Sequence, residues 1–214
     1  AVGYLALSTD DVGQHNVAIG RQALENLNIA TAANVYNTAV GSSAGAALTT
    51  GTNNTLLGGQ AGKLLTATEG NTAVGLNALL SDTTGSKTVA VGRSALGVQN
   101  FSTATDTLNT AVGYYAGVNV TTGFENTIIG ANAGDALTDS DYNTVLGSQA
   151  LSSDTRGARN TAIGRAALFS QNFTTATDVY NTAVGYGAGS AVTSGLQNTL
   201  IGGLAGDAIT DADN

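Results

Sequence analysis

The sequence predicts an all-β fold, a parallel β-solenoid of about 12 coils, with 17-residue coils and a 21-residue coil every fourth. Two observations predict it. The first is an eight-residue phrase, cleanest as Asn109-Thr110-Ala111-Val112-Gly113-Tyr114-Tyr115-Ala116, that recurs from end to end. Its glycine falls at Gly3, Gly20, Gly41, Gly58, Gly75, Gly92, Gly113, Gly130, Gly147, Gly164, Gly185 and Gly202, in steps of 17 or 21. A fixed period of this length marks a repeat architecture whose units bury their apolar face only by stacking. The second is a 72-residue super-repeat of four coils, which places Gly20, Gly92 and Gly164 in register, as well as Gly41, Gly113 and Gly185. The array is expected to be one continuous domain over residues 1–214, a window of a longer fibre.

Each column of the repeat then carries an expectation. The residue before the glycine is always a branched aliphatic, from Val2 and Ile19 to Val184 and Ile201. Two places earlier stands Thr in most coils, with Val17 and Val89 among the exceptions. These two columns share one strand face, because side chains alternate, and they are predicted to fill the coil. The residue between them points the other way, yet it too is apolar. A strand apolar on both faces is normally covered on both, and a single solenoid covers one. Ala39, Leu56, Ala111, Ile128, Ala183 and Leu200 are therefore predicted to pack against other copies of the chain.

Asn opens the phrase at Asn16, Asn37, Asn54, Asn71, Asn109, Asn126, Asn143, Asn160, Asn181 and Asn198, with Thr88 as the exception. Stacked Asn side chains can form a hydrogen-bonded ladder. Three places after each glycine comes Ala, which suits a tight corner. The next column alternates in pairs, Leu7 and Leu24, then Gly45 and Gly62, then Leu79 and Leu96. Leu coils and Gly coils are predicted to turn differently. Thr-Thr-Gly stretches such as Thr121-Thr122-Gly123 read as turns. The long coils carry four extra residues, Asn28-Ile29-Ala30-Thr31, Asn100-Phe101-Ser102-Thr103 and Asn172-Phe173-Thr174-Thr175, expected as loops on one face.

Composition excludes several function classes. The chain has 29 Gly, no Pro, Cys, Met or Trp, and a net charge of −8 from 15 acidic and 7 basic residues. No Lys/Arg cluster exists to neutralise phosphates, which argues against nucleic acid. Without Cys there is neither disulfide nor thiolate metal site. No apolar run reaches the ~20 residues of a membrane span, so this segment is not expected to insert in a membrane.

The phrase Asn-Thr-Ala-Val/Ile-Gly-x-x-Ala-Gly/Leu, with Thr-Thr-Gly turns between copies, resembles two related groups. One is the head repeat of trimeric autotransporter adhesins. The other is the β-solenoid repeat of bacteriophage tail fibres. The resemblance covers essentially the whole chain. It implies a left-handed β-roll and a homotrimeric fibre with inner strands packed about a three-fold axis. It also implies an extracellular setting, on a bacterial surface or a virion, and a cell-surface glycan or host receptor as partner. A weaker resemblance, of Val-Gly-x-x-Ala to a hexapeptide of left-handed β-helix acyltransferases, needs three hexads per coil where this chain has one, and a His base for which only His15 is available.

Candidate chemistry is sparse. Asp139, Asp141, Asp211 and Asp213 are weak calcium candidates, since hard cations take clustered carboxylates; solvated turns are the favoured reading. Ile29, Phe101 and Phe173 recur in the extra segments, where they could meet a sugar or partner, or tuck over the coil, the reading preferred here. Asp10, Asp82 and Asp154, like Arg21, Arg93 and Arg165, recur in register and read as surface charge. A Thr ladder on a flat outer face would suit ice, but the Thr column reads as interior. The chain is expected to have no catalytic residues, because an active site is usually unique and nothing here is. A structural and adhesive fibre shaft is the favoured function, with an end-to-end polymerising filament subunit as the alternative and a β-helix acyltransferase or glycan hydrolase behind it.

Overall fold

The computed structural model describes residues 1–213, in two compact units, Ala1–Leu108 and Asn109–Asn214. Each is a parallel β-solenoid, and no helix occurs among the described residues. The first unit forms β1 (Gly13–Gln14), β2 (Val17–Ile19), β3 (Ala33–Asn34), β4 (Thr38–Val40), β5 (Thr55–Leu57), β6 (Thr72–Val74), β7 (Gly85–Ser86), β8 (Val89–Val91) and β9 (Thr105–Asp106). The second forms β10 (Thr110–Val112), β11 (Thr127–Ile129), β12 (Thr144–Leu146), β13 (Gly157–Ala158), β14 (Thr161–Ile163), β15 (Thr177–Asp178), β16 (Thr182–Val184) and β17 (Thr199–Ile201). Within each unit the three-residue strands stack into a main parallel sheet, and two-residue strands pair as β1 with β3 and β7 with β9 in the first unit and β13 with β15 in the second.

Register reproduces the sequence period. Thr38, Thr55, Thr72 and Val89 are partners at steps of 17, and so are Thr110, Thr127, Thr144 and Thr161. The long coils show as Val17 opposite Thr38 and Thr161 opposite Thr182. Their four extra residues are not one insertion. Gly85 pairs with Thr105 and Gly157 with Thr177, a step of 20. Three extra residues therefore precede the short strand, and the fourth follows it, adding an inward side chain at Val35, Thr107 and Val179, all fully buried.

The two faces of the main strands are the reverse of the sequence expectation. Ala39, Leu56, Ala111, Ile128 and Ala183 have no exposed surface and lie inside their own coils; Leu200, in the last coil, turns inward against Gly189 and Gly206. None of the six is available for packing between chains. The Thr and Val/Ile/Leu columns point out, half-buried or exposed. A three-residue strand sends its middle side chain opposite to its neighbours, and the narrow coil takes side chains from one face of the strand only. The premise of a strand apolar on both faces stands, but the uncovered side is the Thr and aliphatic one.

Inside, size is balanced column against column. Leu and Gly in the paired column adopt the same left-handed turn, with φ of 51° at Leu24 and 58° at Gly45. The expected difference in turning is absent, and the difference lies in what fills the coil. A Cβ at Gly45 would sit 2.7 Å from Leu56 Cδ1 and 3.0 Å from Leu24 Cδ2. The Gly coils thus make room for the larger strand residue and for the Leu of the neighbouring coil. Holding Leu at positive φ costs about 1–2 kcal/mol, offset by full burial of its side chain.

The Asn column forms the expected ladder, in a more economical form. Along the column an Asn Oδ1 accepts the backbone N–H that opens the next phrase, at 2.9 Å from Asn126 N to Asn109, Asn143 N to Asn126 and Asn160 N to Asn143, and likewise from Thr88 N to Asn71. The Nδ2 group donates to a turn carbonyl 14 residues on, as from Asn37 to Gly51 at 2.7 Å and Asn126 to Ser140 at 2.8 Å. One buried side chain thereby satisfies the start of a strand and the end of a turn.

Candidate functional site

In each unit the outer face of the main sheet is a regular surface. Its rows are Thr followed two places later by Val, Ile or Leu. Val17, Ile19 and Leu146 are each more than 40 % exposed. The row after the glycine borders this face and exposes Tyr4, Leu76, Tyr114 and Tyr186 beside Arg21, Arg93 and Arg165. Arg165 lies over the Tyr186 ring at 5.7 Å. The three arginines are surface residues, as expected. No charged side chain stands in the Thr and aliphatic rows themselves.

The in-register aspartates are a different matter. Asp82 and Asp154 are fully buried, which corrects their reading as surface charge. Asp154 accepts Gly157 N at 3.0 Å, Phe173 N at 2.9 Å and Gln171 Nε2 at 2.6 Å. Asp82 accepts Gly85 N at 2.9 Å and Gln99 Nε2 at 2.6 Å. These are charge-assisted bonds to a carboxylate held out of water, where an unmatched charge would be very costly. Each Asp occupies an interior column otherwise filled by Leu48, Leu65, Val120 or Leu137, and the Gln stands one coil later in the same column. The pair fixes the point at which the long coil leaves the stack. Asp10 repeats the turn bond to Gly13 N at 2.9 Å, but Leu27 replaces the Gln. The sequence signal is an Asp followed 17 residues later by Gln in two of three super-repeats, visible only when successive coils are read together.

Of the extra-segment residues, Phe101 is buried, whereas Ile29 and Phe173 are half-buried, so all three lie over the coil to some degree. The calcium candidates do not converge: among the described residues no group of three metal-ligating side chains exists. Asp139 is paired with Arg156 at 3.2 Å, and Asp141 accepts Phe124 N at 3.0 Å. Asp211 accepts Thr210 Oγ1 at 3.1 Å, and Asp213 accepts Leu196 N at 2.8 Å. Burial, with Asp139 and Glu125 nearby, raises the Asp141 carboxyl above the ordinary carboxylate range, against the Phe124 N–H and Arg159, which lower it. His15 is an exposed corner residue stacked on Tyr36 with ring centroids 5.0 Å apart.

Two grooves lie along the short strands. In the first unit a groove of about 540 Å³ is lined by Thr68, Glu69, Ser86, Thr105 and Asp106, among others. In the second, a groove of about 360 Å³ is lined by Ser140, Asp141, Arg156, Thr177 and Asp178, among others. They are the same place in successive super-repeats. Comparison with known protein families, with curated proteins and with solved structures finds no match to this chain. What stands is the fold class, a parallel β-solenoid.

Proposed function

We propose that the chain is a structural segment of an extracellular fibre, the shaft of a bacterial surface adhesin or of a phage tail fibre. Three copies pack in it through the Thr and aliphatic faces of their main sheets. One observation carries the reading: an uncharged row of Val, Ile and Leu stands outward coil after coil, bordered by exposed Tyr and Arg. Large contiguous apolar patches mark interaction surfaces, and Tyr and Arg are enriched at interfaces. The number three and the fibre setting come from the repeat's resemblance to adhesin heads and tail fibres. Repetition itself favours a spacing role over a catalytic one.

Sedimentation equilibrium tests the reading. The wild-type chain should form a discrete trimer, and the double variant Ile129→Asp/Ile163→Asp should sediment as a monomer while keeping its β-type circular dichroism. A wild-type monomer at roughly 100 µM, well above the Kd of a modest interface, would refute it. Open-ended growth would favour the polymerising filament instead.

The outward Thr rows also revive a second reading, an ice-binding face, because regularly spaced Thr methyl and hydroxyl groups stand at the surface. A monomer showing thermal hysteresis would support it.

A further inference from the structure

We propose that the second-unit groove is a binding site for a neutral oligosaccharide, gripped by Asp178, Asp141 and Arg156 and flanked by the rings of Tyr142 and Tyr180.

The geometry is built around Arg159. Its guanidinium pairs with Asp178 at 3.0 Å and lies 4.6 Å from the centre of the Tyr142 ring and 5.8 Å from that of Tyr180. The two tyrosines stand one coil to either side of it, at corner positions with φ of 60° and 58°, and both are exposed. Phe124 meets the Tyr142 ring edge at 5.3 Å. Exposed aromatic side chains are normally mobile; these are stacked on a cation that is itself tied to a carboxylate. Asp178 ends the short strand β15 and lines the groove, and the Arg159 it pairs with is the cation over both rings. The groove lined by Asp178 thus lies beside a fixed aromatic row.

The lining has the chemistry of hydroxyl recognition. Asp139 and Asp178 are each held by an arginine, and so offer oriented acceptor oxygens without a free charge. Arg156 and Thr177 supply donors. The groove is shallow and polar, with no deep apolar pocket for a peptide side chain. Three carboxylates face two guanidinium groups, leaving Asp141 without a cationic partner of its own, which disfavours sulfated or uronic chains. Tyr rings present an apolar face to a sugar ring and keep the hydroxyl wet.

The first unit provides an internal control. There the positions equivalent to Tyr142, Arg159 and Tyr180 are Gly70, Lys87 and Leu108. Lys87 pairs with Asp106, so the charged contact is retained while both rings are absent. The site lies along the short strands, which form sheets separate from the one that carries the Thr and aliphatic rows.

The test is calorimetric titration of the full chain with maltohexaose, cellohexaose and chitohexaose, and with a heparin hexasaccharide as the anionic probe. At least one neutral hexasaccharide should bind at one site per chain. Tyr180→Leu and Tyr142→Gly, which install the residues found at the same positions in the first unit, should each weaken binding about tenfold or more. Asp178→Asn should do the same. Leu108→Ala should leave binding unchanged. Failure of all three neutral probes to bind up to about 10 mM, tighter binding of the heparin probe, or affinity unchanged in the tyrosine variants would overturn the proposal.

Discussion

At the scale of the residue, glycine and burial set the rules. The glycine at the fifth place of each phrase has φ of about +130° to +145° and, in every coil but that of Gly202, lies against the carbonyl of the next coil's glycine. At Gly130 an added Cβ would stand 2.6 Å from Gly147 C and O. Gly130→Ala should therefore cost roughly 3 kcal/mol or more, from backbone strain and an overlap with no flexible side chain to yield. Gly203→Ala, where nothing lies within 4 Å, should melt like wild type; Ala131 already occupies the equivalent position. Thermal unfolding of the two variants separates the close approach from a general glycine effect. Asp135 gives a pH prediction. Burial raises its carboxyl above the ordinary range, against the smaller effect of its own N–H, and its Oδ1 finds no partner. The folded chain thus holds this proton more tightly than the unfolded one. The stability it contributes is complete below the unfolded carboxylate range, about 3.9, and is lost as pH rises through the raised folded value. Asp135→Asn should raise the melting temperature slightly at pH 7, and the gain should shrink towards pH 3.

At the scale of the element, the coil is held by internal polar pairs as much as by apolar packing. Replacing Gln171 by Leu leaves the buried Asp154 without its 2.6 Å donor. Loss of one partner of a buried hydrogen bond typically costs about 1–3 kcal/mol, towards the upper end where the partner is a carboxyl group. Asp154→Leu/Gln171→Leu fills the column as Leu48 and Leu65 fill it elsewhere, and should recover part of that loss. The orphaned N–H groups of Gly157 and Phe173 prevent full recovery. A double-mutant cycle from denaturant unfolding should show a coupling of at least about 1 kcal/mol; independent effects would contradict the lock. The strands, their register and the Asn ladder were legible in the sequence because each is a property of one column repeated. The inside and outside of the main strand were not. Ala and Val are both apolar, so pattern alone could not say which side of a two-faced strand the narrow coil would take; the volume of the coil decided it. The Asp–Gln locks and the tyrosine–arginine row were missed for a related reason: each needs two columns or two coils read together.

At the scale of the whole molecule, the proposed assembly rests on which face remains uncovered. A 214-residue chain with only 10 % charged residues keeps few means of staying apart from its copies other than the charges at its turns and corners. None of those stands in the Thr and aliphatic rows themselves. Leu146 stands 44 % exposed on that face, and Ala111 is fully buried. Because the chain contains no cysteine, a single thiol reports on each position without background. The most direct test is the rate of maleimide labelling of Leu146→Cys as a function of protein concentration, with Ala111→Cys as the interior reference. Packing of this face between copies predicts rapid labelling in dilute solution and strong protection once the chain assembles, while the Ala111→Cys thiol stays protected throughout. Rapid labelling of Leu146→Cys at every concentration, including those at which the chain sediments as an oligomer, would contradict it.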